Sequence, residues 1–309
     1  MPRVSIGLPV RNGERYLPEA LDAILAQSFS DFELIISDNA STDATPTICK
    51  NYANRDPRIR YYRNRENVGA AKNFNFVFRQ SFGRYFKWSA HDDCIAPNFL
   101  SKCVDALDND SACVLSQSMV RLISSKGDVL SDYKSRYSGT SSDMPSHRFA
   151  QIIMNEPFLC FEIFGVIRAD VLRRTPLMGG YVASDRVLLA ELSLYGRFHE
   201  VPNYLFFSRD HAERSMKAMP FHFRAAWFDP ANQGRSVFPH MRFFREYGKC
   251  VGRAPLSTSE KALCYLHLLR WPWVNMNWAR IIADIVAAAA PSTVPAMLRL
   301  SKRLGRTRE

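Results

Sequence analysis

Hydrophobic residues recur along the first 118 positions with two alternating periods, which predict strands and helices in turn. Short apolar runs typical of strands occupy residues 4–9, 32–37, 59–62, 84–88 and 113–117. Patterns typical of helices occupy the intervals, at residues 17–25, 45–52, 70–82 and 97–107. Repeated strand–helix units of this size predict an α/β fold with a mostly parallel sheet flanked by helices.

Polar clusters follow three of these strands, at the point where each strand ends. The clusters are residues 9–14, 38–43 and 91–93. Right-handed crossovers bring the carboxyl ends of parallel strands to one edge of the sheet, and open α/β sheets bind ligands at that edge. We therefore expect the three clusters to meet there. Helix capping could explain any one of these clusters, but it explains their convergence at one edge less well.

The third cluster ends in two adjacent carboxylates, Asp92 and Asp93. Carboxylate oxygens at a strand end suit a hard divalent cation that is shared with phosphates. The alternative is that both residues only begin the following helix, because Asp is a good N-cap. Their spacing alone leaves both interpretations open.

Beyond residue 118 the pattern is less regular. It predicts a hairpin, a polar loop and a further strand, at residues 120–133, 135–146 and 158–167. A helix follows Ser184 and Asp185, either of which could cap it. After about residue 215 the chain changes to aromatic-rich helices interrupted by prolines. We therefore predict a domain at 1–215 and a helical, basic extension at 216–309.

Composition narrows the class of protein. Hydrophobic residues make up 47% of the 309 positions, which is ample for a core and excludes a disordered chain. The seven cysteines are scattered without a CxxC pair, so neither a zinc knuckle nor a disulfide framework is indicated, and a reducing cytosol fits. We expect no signal peptide and no transmembrane helix, since a strand begins at once and no apolar run reaches about 18 residues.

The net charge of +11 is concentrated near the end of the chain, where residues 240–309 carry 12 Lys or Arg and 4 Asp or Glu. Such an excess contacts anionic lipid, nucleic acid or a phosphorylated ligand, or is only a solvated surface. Within it, residues 262–290 mix Trp, Leu and Ile with Arg270 and Arg280, as interfacial helices on a membrane do. A helical appendage packed on the larger domain, or a dimer surface, is the alternative.

Five short motifs occur in a fixed order along the chain. They are Pro9-Val10-Arg11-Asn12-Gly13-Glu14, Asp38-Asn39-Ala40-Ser41-Thr42-Asp43, Asn67-Val68-Gly69 with Lys72-Asn73, His91-Asp92-Asp93, and Asp185 with Arg209-Asp210-His211. Over roughly residues 3–215 this series resembles the family 2 glycosyltransferases, which are inverting enzymes of the GT-A fold. Each motif alone is a weak indication of the family, whereas five motifs in the family's order are a strong one.

The resemblance implies that a group of matched residues binds the nucleotide part of a nucleotide-diphosphate sugar donor. The group consists of Pro9, Asn12, Glu14, Asp38 and Asp43. Asp38 would accept hydrogen bonds from the edge of the base. Lys72 would lie nearby as a point positive charge for the diphosphate. Arg209 would clamp a phosphate or pair with an acidic neighbour.

The resemblance also implies a metal site and a catalytic base. Asp92 and Asp93 would hold Mg²⁺ or Mn²⁺ on the donor phosphates, with His211 completing the shell or touching a phosphate. The metal would neutralise charge on the leaving diphosphate. Asp185 would take the proton of the acceptor hydroxyl as that oxygen attacks the anomeric carbon.

Three positions depart from the family pattern. Ala90 stands where the first carboxylate of Asp-x-Asp is usual, Ser184 where a Glu often precedes the base, and Arg11 where an aromatic is common. The first two leave room for a catalytically silent sugar-nucleotide-binding protein. A nucleotidyltransferase is disfavoured because no Gly-rich phosphate loop follows the first strand, and a nucleic-acid binder because no aromatic-basic readout motif occurs.

We therefore predict a metal-dependent inverting glycosyltransferase that uses a nucleotide-diphosphate sugar. The acceptor would be a glycan or a lipid-linked molecule, in the synthesis of a cell-surface polysaccharide or glycolipid. The predicted location is the cytoplasm, with the basic extension as a candidate contact to the inner face of the membrane.

Overall fold

A mixed sheet of nine strands forms the centre of the protein in a computed structural model, which describes residues 1–133, 135, 137–155, 159–214, 224–233 and 240–290. The strands are β1 (Val4–Val10), β2 (Phe32–Asp38), β3 (Ile59–Arg63), β4 (Tyr85–Trp88), β5 (Cys94–Ile95), β6 (Cys113–Ile123), β7 (Val129–Tyr133), β8 (Val166–Arg168) and β9 (Arg197–Arg209). Their order across the sheet is β3-β2-β1-β4-β8-β6-β9-β5, with β7 paired to β6.

Helices connect and cover the strands. They are α1 (Leu17–Leu25), α2 (Thr45–Arg55), α3 (Ala70–Arg79), α4 (Phe99–Asn109), α5 (Pro145–Met154), α6 (Ala169–Leu172), α7 (Ser184–Tyr195), α8 (Arg224–Phe228), α9 (His240–Arg253), α10 (Thr258–Arg270) and α11 (Asn277–Ala289). Alternate residues of a strand point to opposite faces of the sheet. Accordingly, Ile35 of β2 belongs to one hydrophobic cluster, and its neighbours Leu34 and Ile36 belong to another. Both faces of the sheet are therefore covered, as the largely apolar run of β1 predicts.

The first four strands are parallel, which confirms the predicted arrangement. β1 pairs with β2 on one side, with Val10 opposite Asp38, and with β4 on the other side, with Gly7 opposite Trp88. From β1 the chain first moves to one side, through β2 and β3, and then crosses to the other side of β1 to form β4. The carboxyl end of β1 is a topological switch point, where open α/β sheets leave a crevice for ligands.

The second half of the sheet brings distant segments to the same edge. β8 is antiparallel to both β4 and β6, whereas β9 runs parallel to β6 over most of its length. The two-residue strand β5 pairs with the end of β9, with Cys94 opposite Phe207. Since β5 directly follows Asp93, this pairing carries Arg209, the last residue of β9, to the carboxylates of the third polar cluster.

The region between β7 and α7 differs from its prediction. The hairpin of β6 and β7 is confirmed, but the polar segment 135–146 includes a 3₁₀ turn, Ser138–Ser141, and the start of α5. The strand predicted at 158–167 is instead a 3₁₀ segment, Phe161–Phe164, followed by the short strand β8. Residues 156–158 lie outside the described part. The apolar run is buried, and a short buried run fits a strand or a helical turn equally well.

The C-terminal helices share the core of the larger unit. α9 packs on α7 and α10 packs on α5, so that Tyr247, Cys250 and Leu268 join the cluster that holds Leu188 and other residues of α7. The division predicted at residue 215 falls among residues outside the described part and stays a prediction. Within the described residues, no helix has the length and apolar character needed to cross a membrane. All seven cysteines are free thiols.

Candidate active site

Hydrogen bonds join the loops after β1 and β2, and the residues that make them include predicted nucleotide-binding residues. The Asn12 amide donates to Ser41 Oγ at 2.9 Å. The Glu14 amide donates to Asp43 Oδ2 at 3.0 Å, and Glu14 Oε2 accepts from the Ala44 amide at 2.8 Å. The two polar clusters therefore meet at the switch point, as their positions in the sequence predict.

Asp38 is buried at the end of β2, and Pro9 is buried in the neighbouring strand β1. Asp38 Oδ1 accepts from the Ser41 amide at 2.8 Å. Its Oδ2 accepts from the Tyr61 hydroxyl at 3.0 Å and lies 3.4 Å from Arg63 Nε. Recognition of a base by Asp38 stays a prediction, and any such contact would share these partners. Sequence reasoning missed Tyr61 and Arg63, although the two-residue period of β3 puts both on one side of a strand beside β2.

A set of asparagine side chains links the loop after β2 to the start of α3. Asn39 Nδ2 donates to Asn67 Oδ1 at 2.7 Å, and Asn64 Nδ2 donates to Asn39 Oδ1 at 3.1 Å. Asn73 Nδ2 donates to the carbonyl of Ser37 at 2.9 Å. The residue before it, Lys72, is exposed in the first turn of α3 and is therefore held beside the carboxyl end of β2.

Asp92 and His211 form the closest contact between predicted metal ligands. Asp92 Oδ2 lies 2.9 Å from His211 Nε2, and the two side chains are only 15% and 6% exposed. The other ring nitrogen, His211 Nδ1, is buried without a hydrogen-bond partner among the described residues. The ring of Tyr16, in the β1–α1 connection, packs on His211 with 4.9 Å between ring centres.

Asp93 and Arg209 are joined through the backbone. The Arg209 amide donates to Asp93 Oδ1 at 2.8 Å. The Arg209 guanidinium is buried, where Nε donates to the carbonyl of Asp92 at 3.1 Å and Nη2 pairs with Glu19 at 2.6 Å. A phosphate contact of Arg209 stays a prediction, and its ion pair with Glu19 already balances its charge. Glu19 and Tyr16 were not singled out from sequence.

The interpretation of Asp92 and Asp93 as a helix cap is wrong. The next helix, α4, begins at Phe99, and Asn98 occupies its N-cap position. Strand β5 lies between the carboxylates and that helix. The two carboxylates therefore belong to the polar cluster after β4 and do not cap α4.

Burial and neighbouring charges move the pKa values of the two carboxyl groups in opposite directions. Burial, together with the charge of Asp92, raises the pKa of Asp93. Burial acts in the same direction on Asp92, but the imidazoles of His91 and His211 outweigh it and lower the pKa of Asp92. Asp92 is thus the group that carries the negative charge of the pair, and it is the one in contact with His211.

Asp92 and His211 fit a divalent cation. Neighbouring ligands on an octahedral ion with bonds of about 2.1 Å lie about 3.0 Å apart, close to the separation observed here. The same two atoms are at hydrogen-bonding distance, and a cation held by both would replace that hydrogen bond. Among the described residues no group of three or more His, Cys, Asp or Glu side chains is arranged to hold a metal. A cation would therefore need oxygens of the donor to complete its shell.

Asp185 lies in the first turn of α7, where its Oδ1 accepts from the amide of Arg186 at 2.9 Å. Burial raises the pKa of Asp185, which suits a base that must hold a proton during turnover. α7 packs on the 3₁₀ segment Phe161–Phe164, and that segment packs on β4 and β6. Lys87 of β4 donates its Nζ hydrogen to the carbonyl of Phe164 at 2.7 Å. The helix that carries Asp185 is thus connected to β4 through this segment.

Glu162 is a buried acid that sequence reasoning missed. Its Oε1 accepts from the Ser135 hydroxyl at 2.7 Å, whereas its Oε2 is buried with no hydrogen-bond partner among the described residues. Burial raises the pKa of Glu162 to about 7. A glutamate inside an apolar run that is predicted to be buried was an available signal, because buried acids are rare without a partner.

Glu162→Gln should become increasingly stabilising, relative to the wild type, as the pH rises from 4.5 to about 7. Across this window the unfolded wild-type chain loses the Glu162 proton, while the folded chain keeps it, so the wild type loses stability. Glutamine does not titrate, and the difference in the free energy of unfolding should shift by about 3 kcal/mol. Urea denaturation at both ends of the window measures it, with the exposed Glu213→Gln as a control. The same difference at both ends would contradict the buried-acid assignment.

Comparison with known proteins decides the family. A sequence profile described as Glycosyl transferase family 2 matches residues 5–174, which is more than half of the chain. The chain belongs to glycosyl transferase family 2. As a member of this family, it is 36% identical to an uncharacterized glycosyltransferase of Rickettsia typhi over 107 residues, 35% of this chain and 32% of the relative. It is 32% identical to the glycosyltransferase GlyA of Streptococcus pneumoniae over 98 residues, 32% of this chain and 14% of that protein. The matches span a third or less of these curated relatives.

Solved structures support the fold of this family 2 member. The S. aureus TarS 1-349 structure in complex with UDP-GlcNAc has a TM-score of 0.62 at 17% identity, and the match covers 88% of this chain and 72% of that one. A mannosyltransferase of Pyrobaculum calidifontis, in complex with GDP-Man and Mn²⁺, has a TM-score of 0.55 at 17% identity, with 97% and 80% covered. At this identity the likeness concerns the fold alone. It confirms the predicted GT-A type of α/β fold with a helical C-terminal region.

Proposed function

We propose that this chain is a metal-dependent, inverting glycosyltransferase that moves a sugar from a nucleotide-diphosphate sugar to a hydroxyl group. The observation that carries the proposal is the contact of Asp92 Oδ2 with His211 Nε2 at 2.9 Å, at the same edge of the sheet as the loops after β1 and β2. Family membership supports the class of reaction. The donors bound to the structural neighbours, UDP-GlcNAc and GDP-Man, support a nucleotide sugar.

The nucleotide would bind across the carboxyl ends of β1 and β2. The loops there are already bonded to each other through Asn12, Glu14 and Asp43, so binding does not have to order them. Asp38, buried at the end of β2, and Pro9, in the adjacent strand, would line this site from below. The exposed ammonium group of Lys72 would attract the diphosphate as a point charge.

Mg²⁺ or Mn²⁺ held by Asp92 and His211 would supply positive charge that stabilises the leaving diphosphate. The protein holds both ligands in position. Tyr16 packs on the His211 ring, and Arg209 Nε donates to the Asp92 carbonyl. Asp93 remains a predicted ligand, although one of its oxygens accepts the Arg209 amide.

Asp185 would act as the general base. Orientation supplies most of the benefit of such a group, and the first turn of α7 fixes the backbone that carries this carboxylate. Ala183, just before the helix, has a left-handed backbone with φ of 56°. Such strain in a residue other than glycine is commonly retained at functional sites.

For the acceptor we propose a glycan or a lipid-linked molecule, in cytoplasmic synthesis of a cell-surface polysaccharide or glycolipid. The support for a lipid-linked acceptor is the exposed apolar and basic surface of the C-terminal helices. A second candidate function is a silent sugar-nucleotide-binding protein. Ala90 and Ser184 favour it, because each stands where the family pattern has a carboxylate.

Donor hydrolysis separates the two functions. The purified protein should hydrolyse sugars of one nucleotide class, among UDP-, GDP- and dTDP-sugars, slowly without acceptor and only when Mn²⁺ or Mg²⁺ is present. Metal dependence is expected because a cation held by Asp92, His211 and the diphosphate would neutralise the charge of the leaving group. Product nucleotide is measured by chromatography, and donor binding by calorimetry. If a donor bound but no combination of donor and acceptor was turned over, the silent sugar-nucleotide-binding protein would be supported instead.

A further inference from the structure

Exposed apolar side chains are concentrated where α10 gives way to α11. Seventeen large hydrophobic side chains are exposed in the described residues, and ten of them lie between positions 263 and 286. The three most exposed of these ten are Leu269, Trp273 and Met276, with 65%, 75% and 60% of their surface accessible. They lie at the corner between the two helices, which we call the apolar corner.

Both helices that meet at this corner are apolar on the outside as well as on the inside. Cys264 and Leu268 of α10 are buried in the core, yet Leu266 and Leu269 of the same helix are exposed. On α11 the exposed apolar residues recur at Trp278, Ile282 and Ile285. A surface helix normally has a polar outer face. The outer faces of α10 and α11 therefore need a partner that the described residues do not supply.

The charge around the apolar corner is positive. Arg270 and Arg280 are exposed beside the apolar side chains. The only acidic residue between positions 261 and 290 is Asp284, which is buried and accepts a hydrogen bond from the Met241 amide at 3.0 Å. The sequence continues with five Lys or Arg and one Glu in residues 291–309. This face is complementary to an anionic partner.

A second copy of the chain fits this face poorly. A two-fold interface buries the same patch of both copies against itself. Arg270, exposed among these apolar side chains, would then be buried in an apolar contact together with its like-charged counterpart on the other copy, at a large desolvation cost. A bilayer with anionic headgroups instead supplies phosphates for the arginines and a boundary for the apolar side chains.

We propose that the apolar corner and the outer faces of α10 and α11 dock this protein on the surface of an anionic phospholipid bilayer. The protein lies on the bilayer without spanning it, since none of the described helices could cross it. A cavity of about 760 Å³ between α9, α10 and α11 opens on the same side and shares Leu269 and Ile285 with the exposed face. Its lining is mostly apolar but includes Arg242 and Arg245, so it offers room for a lipid chain beside basic groups that suit a phosphate.

Vesicle co-sedimentation tests the proposal. The wild-type protein should bind vesicles of phosphatidylcholine with phosphatidylglycerol, bind much less to phosphatidylcholine alone, and release as salt is raised. Trp273→Asp with Leu269→Asp should weaken binding about tenfold or more, since both side chains lose their apolar contribution. Arg270→Glu should weaken it about fivefold or more. Leu130→Asp, at another exposed apolar position, on β7, is the matched control and should bind as the wild type does.

Two results would overturn the proposal. One is that the wild type does not bind phosphatidylglycerol vesicles, or that the Trp273→Asp, Leu269→Asp variant binds them as well as the wild type does. The other is a wild-type dimer in sedimentation equilibrium that this variant converts to monomers, which would assign the face to a second copy. Circular dichroism checks that each variant is folded. Vesicle binding requires no turnover, so failure here leaves the proposed reaction standing, and donor hydrolysis tests that separately.

Discussion

Asp185→Asn should lower kcat by about 10²–10⁴-fold, the range that a positioned general base contributes. The asparagine oxygen can still accept the Arg186 amide, so the start of α7 keeps the hydrogen bond that Asp185 makes now. Donor binding should remain unchanged, because the proposed nucleotide contacts lie in the loops after β1 and β2, whereas Asp185 is proposed to contact the acceptor hydroxyl. The measurement is sugar transfer to acceptor together with calorimetry of donor binding.

The pH dependence provides a second readout for Asp185. Burial raises the pKa of this carboxyl above its usual 3.8. The base works in its ionised form, so activity is present above that raised pKa and is lost as the pH falls through it. Asp170→Asn is a matched control, since Asp170 is exposed in the first turn of α6 and should change neither kcat nor the profile. If Asp185→Asn turned over acceptor like the wild type, the base would have to be another group.

Asp92→Asn should lower metal-dependent turnover by about 10³-fold, because a metal ion contributes several kcal/mol to the stabilisation of a leaving phosphate. An amide can still contact His211, so the fold should hold and the thermal unfolding temperature should change little. The loss of the negative charge weakens a hard cation's binding most directly. The Mn²⁺ concentration needed for half-maximal activity should therefore rise.

His211→Gln and Asp132→Asn complete this experiment. His211→Gln should also raise the Mn²⁺ requirement, because the two side chains face each other at 2.9 Å. Asp132 forms an exposed ion pair with Arg121, and its substitution controls for the loss of an acidic side chain elsewhere. An Asp92→Asn enzyme with the wild-type response to Mn²⁺ would remove the metal assignment, and with it the metal-dependent part of the proposed function.

The strands and helices of the first half follow from local sequence. Strands β1 to β3 extend their predictions by a single residue each, and α3 ends three residues before its predicted end. The reason is physical, because side chains alternate in a strand and repeat every 3.6 residues in a helix, so one buried face leaves a readable period. The middle of the chain lacks such a period, and there the predicted strand at 158–167 became a 3₁₀ turn and the short strand β8.

The sequence itself determined the class of fold and the family, and it predicted the edge of the sheet where a ligand would bind, because each rests on short motifs or on the periods of single elements. Only the tertiary structure decided how the candidate residues are engaged. Asp92 contacts His211, which lies 119 positions later in the sequence, and Asp93 accepts a hydrogen bond from the Arg209 amide, 116 positions later. These contacts depend on the pairing of β5 with β9, which no local pattern encodes. The same holds for Glu162 and for the apolar corner, since burial is set by how distant elements pack.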